Sequence, residues 1–501
     1  MLGRLEKANR NARDWPRQQN DGPQIAAAHM FFDTPVYFVF LTIVVLLYWR
    51  FDRYKQNLLL LAASYFFYAW WDWRFLSLIF ISTVFDFFAA RYIAHSSDGM
   101  RRKALLVASL VLNFGFLGFF KYFNFFQDSL ANLVTALGLP ASSSKTLGIL
   151  LPPGISFYTF QAVAYIVDVY KRRLEPAQSL VDYALFISFF PHLVAGPIQR
   201  PSHLLPQTQN ARHFRADFFF DGLMLILSGL LRKCVVADNC ALLANAAFSG
   251  RMGPANLGVV LIGTYAFAWQ IYADFSGYSE IARGSAQLMG FHFMVNFRQP
   301  YLATSLQDFW RRWHISLSTW LRDYLYIPLG GSRDGEAKTY RNLMVTMLLG
   351  GLWHGANWTY VLWGGIHGAG LAVERWLGLG RREAQKGQPS EATKWLARIV
   401  VFHVVCLAWV FFRAPSLRAS FEFLSGIGVP TLGSGFGPAL SFLAVFTAPL
   451  FLLDLLIESR GEEYVFQSSP AMARVAVGMA LMLVVIVFSA STGAAFIYFQ
   501  F

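Results

Sequence analysis

Two histidine-centred segments carry the residue types in this sequence that are best suited to chemistry. Residues 308–320 contain His314 among tryptophans and arginines, and residues 349–358 contain His354 among glycines. Both segments belong to an apolar part of the chain, where an ionisable side chain is costly and is therefore a candidate functional residue. The reference pKa of an imidazole, about 6.5, suits a general base that works near neutral pH.

The glycines beside His354 predict space for a substrate. Gly350, Gly351 and Gly355 have no side chains, so we expect an open approach to the His354 ring. The chemistry that fits is acyl transfer: His354 removes the proton of an attacking hydroxyl, and the oxygen then attacks a thioester carbonyl. Negative charge develops on the carbonyl oxygen, which hydrogen-bond donors must stabilise.

The segment around His314 supplies candidate donors and binding residues. His314, Arg311 and a backbone N–H are the candidates for stabilising the carbonyl oxygen. If the segment is one helix, Trp310, His314 and Ser318 are four residues apart and share a face. We predict His354 and His314 as the catalytic residues. The predicted substrate-binding residues are Trp310, Arg311, Arg312, Trp313, Ser318, Trp353 and Asn357.

Structural explanations compete with these assignments. Residues 310–313, Trp-Arg-Arg-Trp, also fit an interfacial anchor whose arginines reach towards lipid headgroups. On spacing alone, a packing role for His354 stays open beside a catalytic one. A hydrogen-bonded interior position is the favoured interpretation of four other histidines, His192, His292, His367 and His403.

Motifs for several other chemistries are absent from the sequence. It contains no GxxxxGK[ST], HExxH or GxSxG run, and no GxGxxG after a strand. The three cysteines, Cys234, Cys240 and Cys406, form no CxxC pair. We therefore predict neither a bound metal nor a bound cofactor.

The composition predicts a multi-pass membrane protein. Hydrophobic residues make up 55% of the 501 residues and charged residues 14%, whereas soluble domains carry about 25% charged residues. The net charge of +13 comes partly from short basic clusters between apolar runs, at 50–55, 101–103 and 171–173. Such clusters are typical of cytoplasmic loops beside lipid, so we predict contact with membrane lipid and no nucleic-acid partner.

Apolar runs predict an all-α fold of about 11 membrane spans, each needing roughly 20 apolar residues. The candidates are 34–49, 56–71, 75–93, 104–123, 150–170, 217–236, 257–275, 343–375, 398–412, 438–457 and 472–490. Residues 180–196 contain Pro191 and predict a short or re-entrant helix. We expect one integral membrane domain over 30–501, with the active-site region at 276–358.

The basic clusters also predict an orientation. Two spans separate each cluster from the next, so all three can face the cytoplasm, which places residue 33 on the periplasmic side. The polar residues 1–29 carry five arginines or lysines and no apolar core. We interpret them as a tail or a misassigned start.

Several longer motifs, in this order, resemble the membrane-bound O-acyltransferase (MBOAT) family. The similarity is to the branch that contains the membrane subunit of alginate O-acetyltransferase. The motifs lie at 153–161, 191–198, 270–282, 296–301, 308–320, 323–331, 351–355 and 496–501.

The resemblance implies a ring of membrane helices around a thinned centre, with a cytoplasmic funnel meeting a periplasmic opening. The family's near-invariant histidine falls on His354, and its second polar position, histidine or asparagine, falls on His314. It further implies that acetyl-CoA or another cytoplasmic acyl thioester is the donor. A periplasmic acetyltransferase would receive the acetyl group at the bacterial inner membrane and esterify a polysaccharide such as alginate.

Other functions stay open on the sequence. Peptidoglycan or another glycan is an alternative final acceptor for the same mechanism. A transporter without chemistry would often show inverted repeats, which we do not find between the two halves. A structural scaffold for a synthase complex is a further alternative.

Overall fold

A computed structural model describes residues 30–139, 147–194, 196–379, 390–464, 466–490 and 496–497. These described residues form helices, turns and loops without a strand, so the all-α prediction is confirmed for them. Residues 1–29, predicted as a tail or a misassigned start, lie outside the described residues. The chain divides into two compact units.

The amino-terminal unit comprises His29–Ile226 and Ser279–Val295. Its helices are α1 (Pro35–Tyr48), α2 (Arg53–Asp72), α3 (Leu76–His95), α4 (Gly99–Leu117), α5 (Phe123–Ala136), α6 (Ile155–Tyr170), α7 (Leu180–Ser188), α8 (Phe190–Leu193), α9 (Pro201–Gln209) and α10 (Ala216–Leu230). A 3-10 turn, Trp73–Phe75, separates α2 from α3, and a π turn, Gly118–Tyr122, separates α4 from α5. The break between α7 and α8 occurs just before Pro191, within the segment predicted to be a short or re-entrant helix.

The carboxy-terminal unit comprises Leu227–Tyr278 and the chain from Asn296 onwards. Its helices are α11 (Asp238–Phe248), α12 (Leu257–Leu288, which ends in the other unit), α13 (Leu306–Arg312), α14 (Ile315–Leu321), α15 (Glu336–His354), α16 (Trp358–Trp376), α17 (Glu391–Arg413), α18 (Leu417–Ser425), α19 (Phe436–Arg460) and α20 (Ala471–Phe488). π turns at Leu231–Ala237 and Arg322–Tyr326, and 3-10 turns at Pro300–Leu302 and Gly426–Gly428, complete the described elements.

Polar residues fix where several of these helices begin. The side chains of Asp52, Asp98 and Ser305 accept hydrogen bonds from backbone N–H groups in the first turns of α2, α4 and α13. The first N–H groups of a helix have no intrahelical acceptor, so these oxygens stabilise the helix starts. Asn357 does the same for α16.

The structure confirms a multi-helix membrane character but not the predicted count of spans. Five described helical stretches are long and apolar enough to cross a membrane: Arg53–His95, Gly99–Ala136, Glu391–Arg413, Phe436–Arg460 and Ala471–Phe488. The single span predicted over 343–375 is wrong, because α15 ends at His354 and α16 starts at Trp358. The count of about 11 spans and the ring around a funnel stay predictions.

Candidate active site

His314 lies at a break between two seven-residue helices. α13 ends at Arg312, Trp313 is extended, and His314 has φ 43° and ψ 53°, the left-handed conformation that few residues other than glycine adopt. The predicted single helical face of Trp310, His314 and Ser318 is therefore wrong, because no helix continues through His314. His314 instead lies in the turn between the two helices and belongs to neither.

Asn296 holds this turn in place. Its carbonyl oxygen accepts the Ile315 N–H at 2.9 Å, and its Oδ1 accepts the Ser316 hydroxyl at 2.9 Å and the Ser316 N–H at 3.3 Å. The same Oδ1 lies 3.1 Å from Nδ1 of His314. Asn296 begins the 296–301 motif, but its contact with His314 could not be predicted from the sequence, because the two residues are 18 positions apart.

The contact with Asn296 assigns the proton of the His314 ring. An amide oxygen only accepts, so Nδ1 must donate and Nε2 becomes the accepting nitrogen of a neutral imidazole. His314 lies outside the five long apolar helices, and burial lowers the pKa of its imidazole to about 3. A neutral ring with an accepting Nε2 can orient a hydroxyl or take its proton, but it cannot donate to a carbonyl oxygen.

His354 ends α15 inside a group of aromatic rings. Its ring centroid lies 5.1 Å from that of Trp363 on α16 and 5.3 Å from that of Phe412 on α17, both in edge-to-face geometry. The His314 ring is 6.4 Å away, so the two predicted catalytic imidazoles are neighbours in the same unit. His354 is 3% exposed and His314 is fully buried. Neither Trp363 nor Phe412 could be predicted from the sequence as a neighbour of His354.

The glycines near His354 do not provide the open space predicted for them. A Cβ added at Gly351 would clash with the backbone carbonyl of Tyr360, and one added at Gly355 would clash with the Tyr360 ring. At Gly350 an added Cβ would lie 3.2 Å from a methyl of Leu321. Gly351 and Gly355 instead let α15 and α16 approach closely, as small residues do between membrane helices, and Gly350 lies against Leu321 of α14.

The seven predicted substrate-binding residues have different surroundings. Arg312 forms ion pairs with Asp308 and Glu458, both at 2.9 Å. Asn357 accepts the Thr359 N–H and donates to the Pro415 carbonyl oxygen, each at 3.0 Å. The structure therefore shows these two side chains making contacts within the protein.

The two buried tryptophans of the set lie at the histidines themselves. Trp353 is 5% exposed, and its ring centroid is 6.0 Å from that of His314. Trp313 is 1% exposed and stacks on Phe309. Trp353 therefore borders both imidazoles, whereas Trp313 packs among other aromatic rings beside His314 in the chain.

The other three residues, Trp310, Arg311 and Ser318, line a cavity of about 570 Å³. Arg311 is exposed there and has no ion-pair partner among the described residues, whereas Arg322 and Arg375 on the same cavity pair with Asp323 and Glu336. The acidic Glu374 on this cavity is engaged by the N–H groups of Leu306 and Gln307 at the start of α13. Arg311 is therefore the cation best placed to meet an anionic ligand.

The cavity approaches the histidines without including them. Its lining contains Ile315, which follows His314, and Met347, about 10 Å before His354 along α15. It also contains Trp310, whose ring packs edge-on to Trp363, the neighbour of His354. Aromatic side chains thus separate the cavity from the imidazole pair.

Buried ion pairs join the π turn Leu231–Ala237 to acidic residues of α11, α12 and α19. Arg232 donates to Asp454 at 2.9 Å and to the Tyr272 hydroxyl at 3.1 Å. Lys233 pairs with Asp238 at 2.7 Å and with Asp274 at 3.0 Å. Asp274 directly precedes Phe275, whose ring stands edge-on to His314 at 4.6 Å. The network therefore anchors the stretch of α12 that packs against the active site.

Comparison with known proteins identifies the family. The MBOAT, membrane-bound O-acyltransferase, model matches residues 171–413, which include both histidines. The probable alginate O-acetylase AlgI of Pseudomonas aeruginosa is 44% identical over 397 residues, covering 78% of this chain and 74% of that protein. The chain belongs to the membrane-bound O-acyltransferase family. It is therefore an acyltransferase and a multi-pass membrane protein.

Two further relatives differ in the acceptor that their names give. The peptidoglycan O-acetyltransferase of Helicobacter pylori is 37% identical over 430 residues, with 79% of this chain and 80% of that protein covered. The teichoic acid D-alanyltransferase of Bacillus subtilis is 29% identical over 280 residues, covering 52% of this chain and 68% of that protein. The names of these three relatives thus give alginate, peptidoglycan and teichoic acid as the molecules that are modified.

Proposed function

We propose that this MBOAT enzyme transfers an acetyl group from acetyl-CoA, on the cytoplasmic side of a bacterial inner membrane, towards an exported polysaccharide such as alginate. The pairing of His314 and His354 at 6.4 Å carries the catalytic part of this proposal. The 44% identity to a probable alginate O-acetylase supports the acetyl group and the polymer. A periplasmic acetyltransferase is the proposed partner that completes the esterification.

His354 acts as the general base in the proposed reaction. It takes the proton of the acceptor hydroxyl while that oxygen bonds to the thioester carbonyl carbon. The carbon–sulfur bond then breaks, and the thiolate takes the proton back from His354, so the products are an ester and a thiol. A base in this position contributes about 10²–10⁴-fold to the rate.

His314 orients the acceptor in this scheme. Because its Nε2 accepts, it can hold the hydroxyl hydrogen as the acceptor enters, before His354 takes that same proton. Stabilisation of the carbonyl oxygen then falls to a backbone N–H, because Arg311 lies in the cavity that aromatic side chains separate from the imidazoles. This division of roles replaces the idea that His314 itself donates to that oxygen.

The cavity is the proposed entrance for the donor. Arg311, which has no ion-pair partner in the described part of the chain, supplies a cation for the phosphates of acetyl-CoA, and Trp310 and Ser318 line the path inwards. Since His354 is only 3% exposed, the acetyl arm must displace aromatic side chains to reach it. Movement of Trp310 and Trp363 is therefore part of the proposed cycle.

The decisive experiment compares His354→Ala with His403→Ala. His403 is an exposed histidine on α17 that is hydrogen-bonded to Tyr265, so it is a matched control for loss of an imidazole. We expect His354→Ala to abolish ester-linked acetate on the polymer while the protein still inserts in the membrane, and His403→Ala to retain it. Normal acetate content in a well-folded His354→Ala protein would refute the proposal and favour a transport or scaffold role.

Peptidoglycan is the second candidate acceptor, favoured by the 37% identity over 430 residues to a peptidoglycan O-acetyltransferase. Both candidates share the His354 chemistry, so the mutation does not separate them. Base-released acetate measured separately on the purified exopolysaccharide and on purified peptidoglycan does. If the acetate that depends on His354 were found on peptidoglycan alone, peptidoglycan would replace alginate as the proposed polymer.

A further inference from the structure

A groove on the amino-terminal unit has the dimensions of a lipid site. It has a volume of about 800 Å³ and runs between α3 and α4, which both belong to stretches apolar enough to cross a membrane. Phe80, Val84 and Phe88 line its length, and Phe80 and Phe88 are 57% and 60% exposed. Such exposure is expected where hydrocarbon covers the protein.

The length of the groove matches one leaflet. Phe80 and Tyr92, both in its lining, are twelve residues apart on α3, which is about 18 Å at 1.5 Å per residue. Half of the hydrocarbon core of a bilayer is about 15 Å. An acyl chain that enters at the Tyr92 end would therefore lie in the groove over its whole length.

The Tyr92 end of the groove is cationic. Arg101 lines the groove there, and its guanidinium donates to the Tyr92 hydroxyl at 3.4 Å while its side chain stays 71% exposed. Asp98 pairs with Arg101 at 3.1 Å, but Lys103 is exposed on the same helix. This end therefore keeps a positive charge at the depth of the lipid headgroups.

A second basic segment adjoins this end. Arg102 donates to the carbonyl oxygen of Tyr170 at 2.8 Å, which brings the start of α4 to the end of α6. The three residues that follow Tyr170, Lys-Arg-Arg at 171–173, are all exposed. The positive-inside rule assigns both basic segments to the cytoplasmic face.

We propose that this groove binds one anionic phospholipid of the cytoplasmic leaflet. One acyl chain fills the apolar length between α3 and α4, and the phosphate lies against Arg101 at its basic end. Charge complementarity selects this occupant, because basic pockets between membrane helices on the cytoplasmic side suit anionic headgroups. The site is independent of the proposed acetyl transfer.

The test uses the full-length protein in nanodiscs of phosphatidylcholine doped with phosphatidylglycerol, with retained lipid counted by native mass spectrometry. We expect one phosphatidylglycerol molecule to be retained in preference to phosphatidylcholine. Arg101→Gln should lower that preference about fivefold, the effect of about 1 kcal/mol per basic residue at the surface. Ala104→Trp places a ring into the groove from an exposed position and should abolish retention of either lipid.

Arg418→Gln is the matched control for Arg101→Gln. Arg418 is likewise an exposed arginine in the first turn of a helix, paired with a carboxylate, Glu422, at 2.7 Å, but it belongs to the carboxy-terminal unit and does not line the groove. Its substitution should leave lipid retention unchanged. Equal retention of both lipids, an unchanged preference in Arg101→Gln, or a co-purifying membrane helix that excludes lipid from the groove would each overturn the proposal.

Discussion

Substitution of His314 by alanine and by glycine should separate the role of the imidazole from that of the backbone. Both changes remove the hydrogen bond to Asn296, so activity should fall in both. They differ in the backbone, because φ of 43° costs an alanine roughly 1–2 kcal/mol that a glycine avoids. Part of this difference is offset by the larger entropy of an unfolded chain with glycine.

We therefore expect His314→Gly to be about 1 kcal/mol more stable than His314→Ala, a fivefold difference in the unfolding equilibrium. The measurement is unfolding in mixed micelles of increasing dodecyl sulfate content, alongside acetyl transfer from labelled acetyl-CoA. His314→Asn should be the most active of the three, because asparagine tolerates this conformation and offers an accepting oxygen. Equal stability of the alanine and glycine variants would refute the argument from the backbone.

The pH dependence of the same residue gives a second readout. Burial lowers the pKa of His314 to about 3, whereas the unfolded chain titrates near 6.5. The unfolded state thus binds the extra proton below pH 6.5, so the stability from this residue falls as the pH drops from 6.5 towards 3. Relative to His314→Asn, the wild type should lose about 2 kcal/mol between pH 7 and pH 5. Parallel profiles for the two proteins would contradict the buried neutral imidazole.

Three further substitutions test the framework of the site. Gly351→Ala should sharply lower stability, because its Cβ would clash with the Tyr360 carbonyl. Gly365→Ala is the control that should be tolerated, because its Cβ would lie 3.5 Å from a leucine methyl. The folded yield of the two variants in detergent is the measurement. Asn357→Ala should lower the free energy of unfolding by about 1 kcal/mol, because α16 loses its cap. The activity per folded molecule should persist, and a complete loss of activity would indicate that Asn357 contacts the substrate. Lys233→Met should cost about 3–5 kcal/mol in the same unfolding assay, because it leaves buried carboxylates without their cation, and an unchanged midpoint would refute the network's role.

Composition and motif order predicted the class of the molecule and its histidine pair. The low charged fraction required a membrane environment, and the apolar runs located most of the helices within a few residues. His314 and His354 were predicted to act together, and their rings are neighbours. The charged fraction and the apolar runs depend on local sequence, which a single chain displays directly, whereas the histidine pair also needed the resemblance of several motifs to a known family.

The errors concern features that depend on distant neighbours. A glycine next to a histidine leaves a gap that either a substrate or a neighbouring helix can fill. Here Tyr360 of α16 fills it, which the local sequence does not show. The break at His314 was missed because histidine does not signal a left-handed turn as glycine does. Its cause, Asn296, lies on another segment, and the spacing of residues 308–320 is compatible with an unbroken helix.

The π turn at Leu231–Ala237 has a consequence for altering this protein. A π turn closes its hydrogen bonds over five residues where an α-helix uses four, so it accommodates one additional residue within a continuous helix. Removal of one residue between Lys233 and Asp238 would restore α geometry and leave these two residues four positions apart, a spacing that keeps both side chains on one face of the helix. A one-residue deletion within the π turn should therefore keep the Lys233–Asp238 ion pair, whereas the same deletion within α11 would rotate the residues that follow it by about 100° about the helix axis.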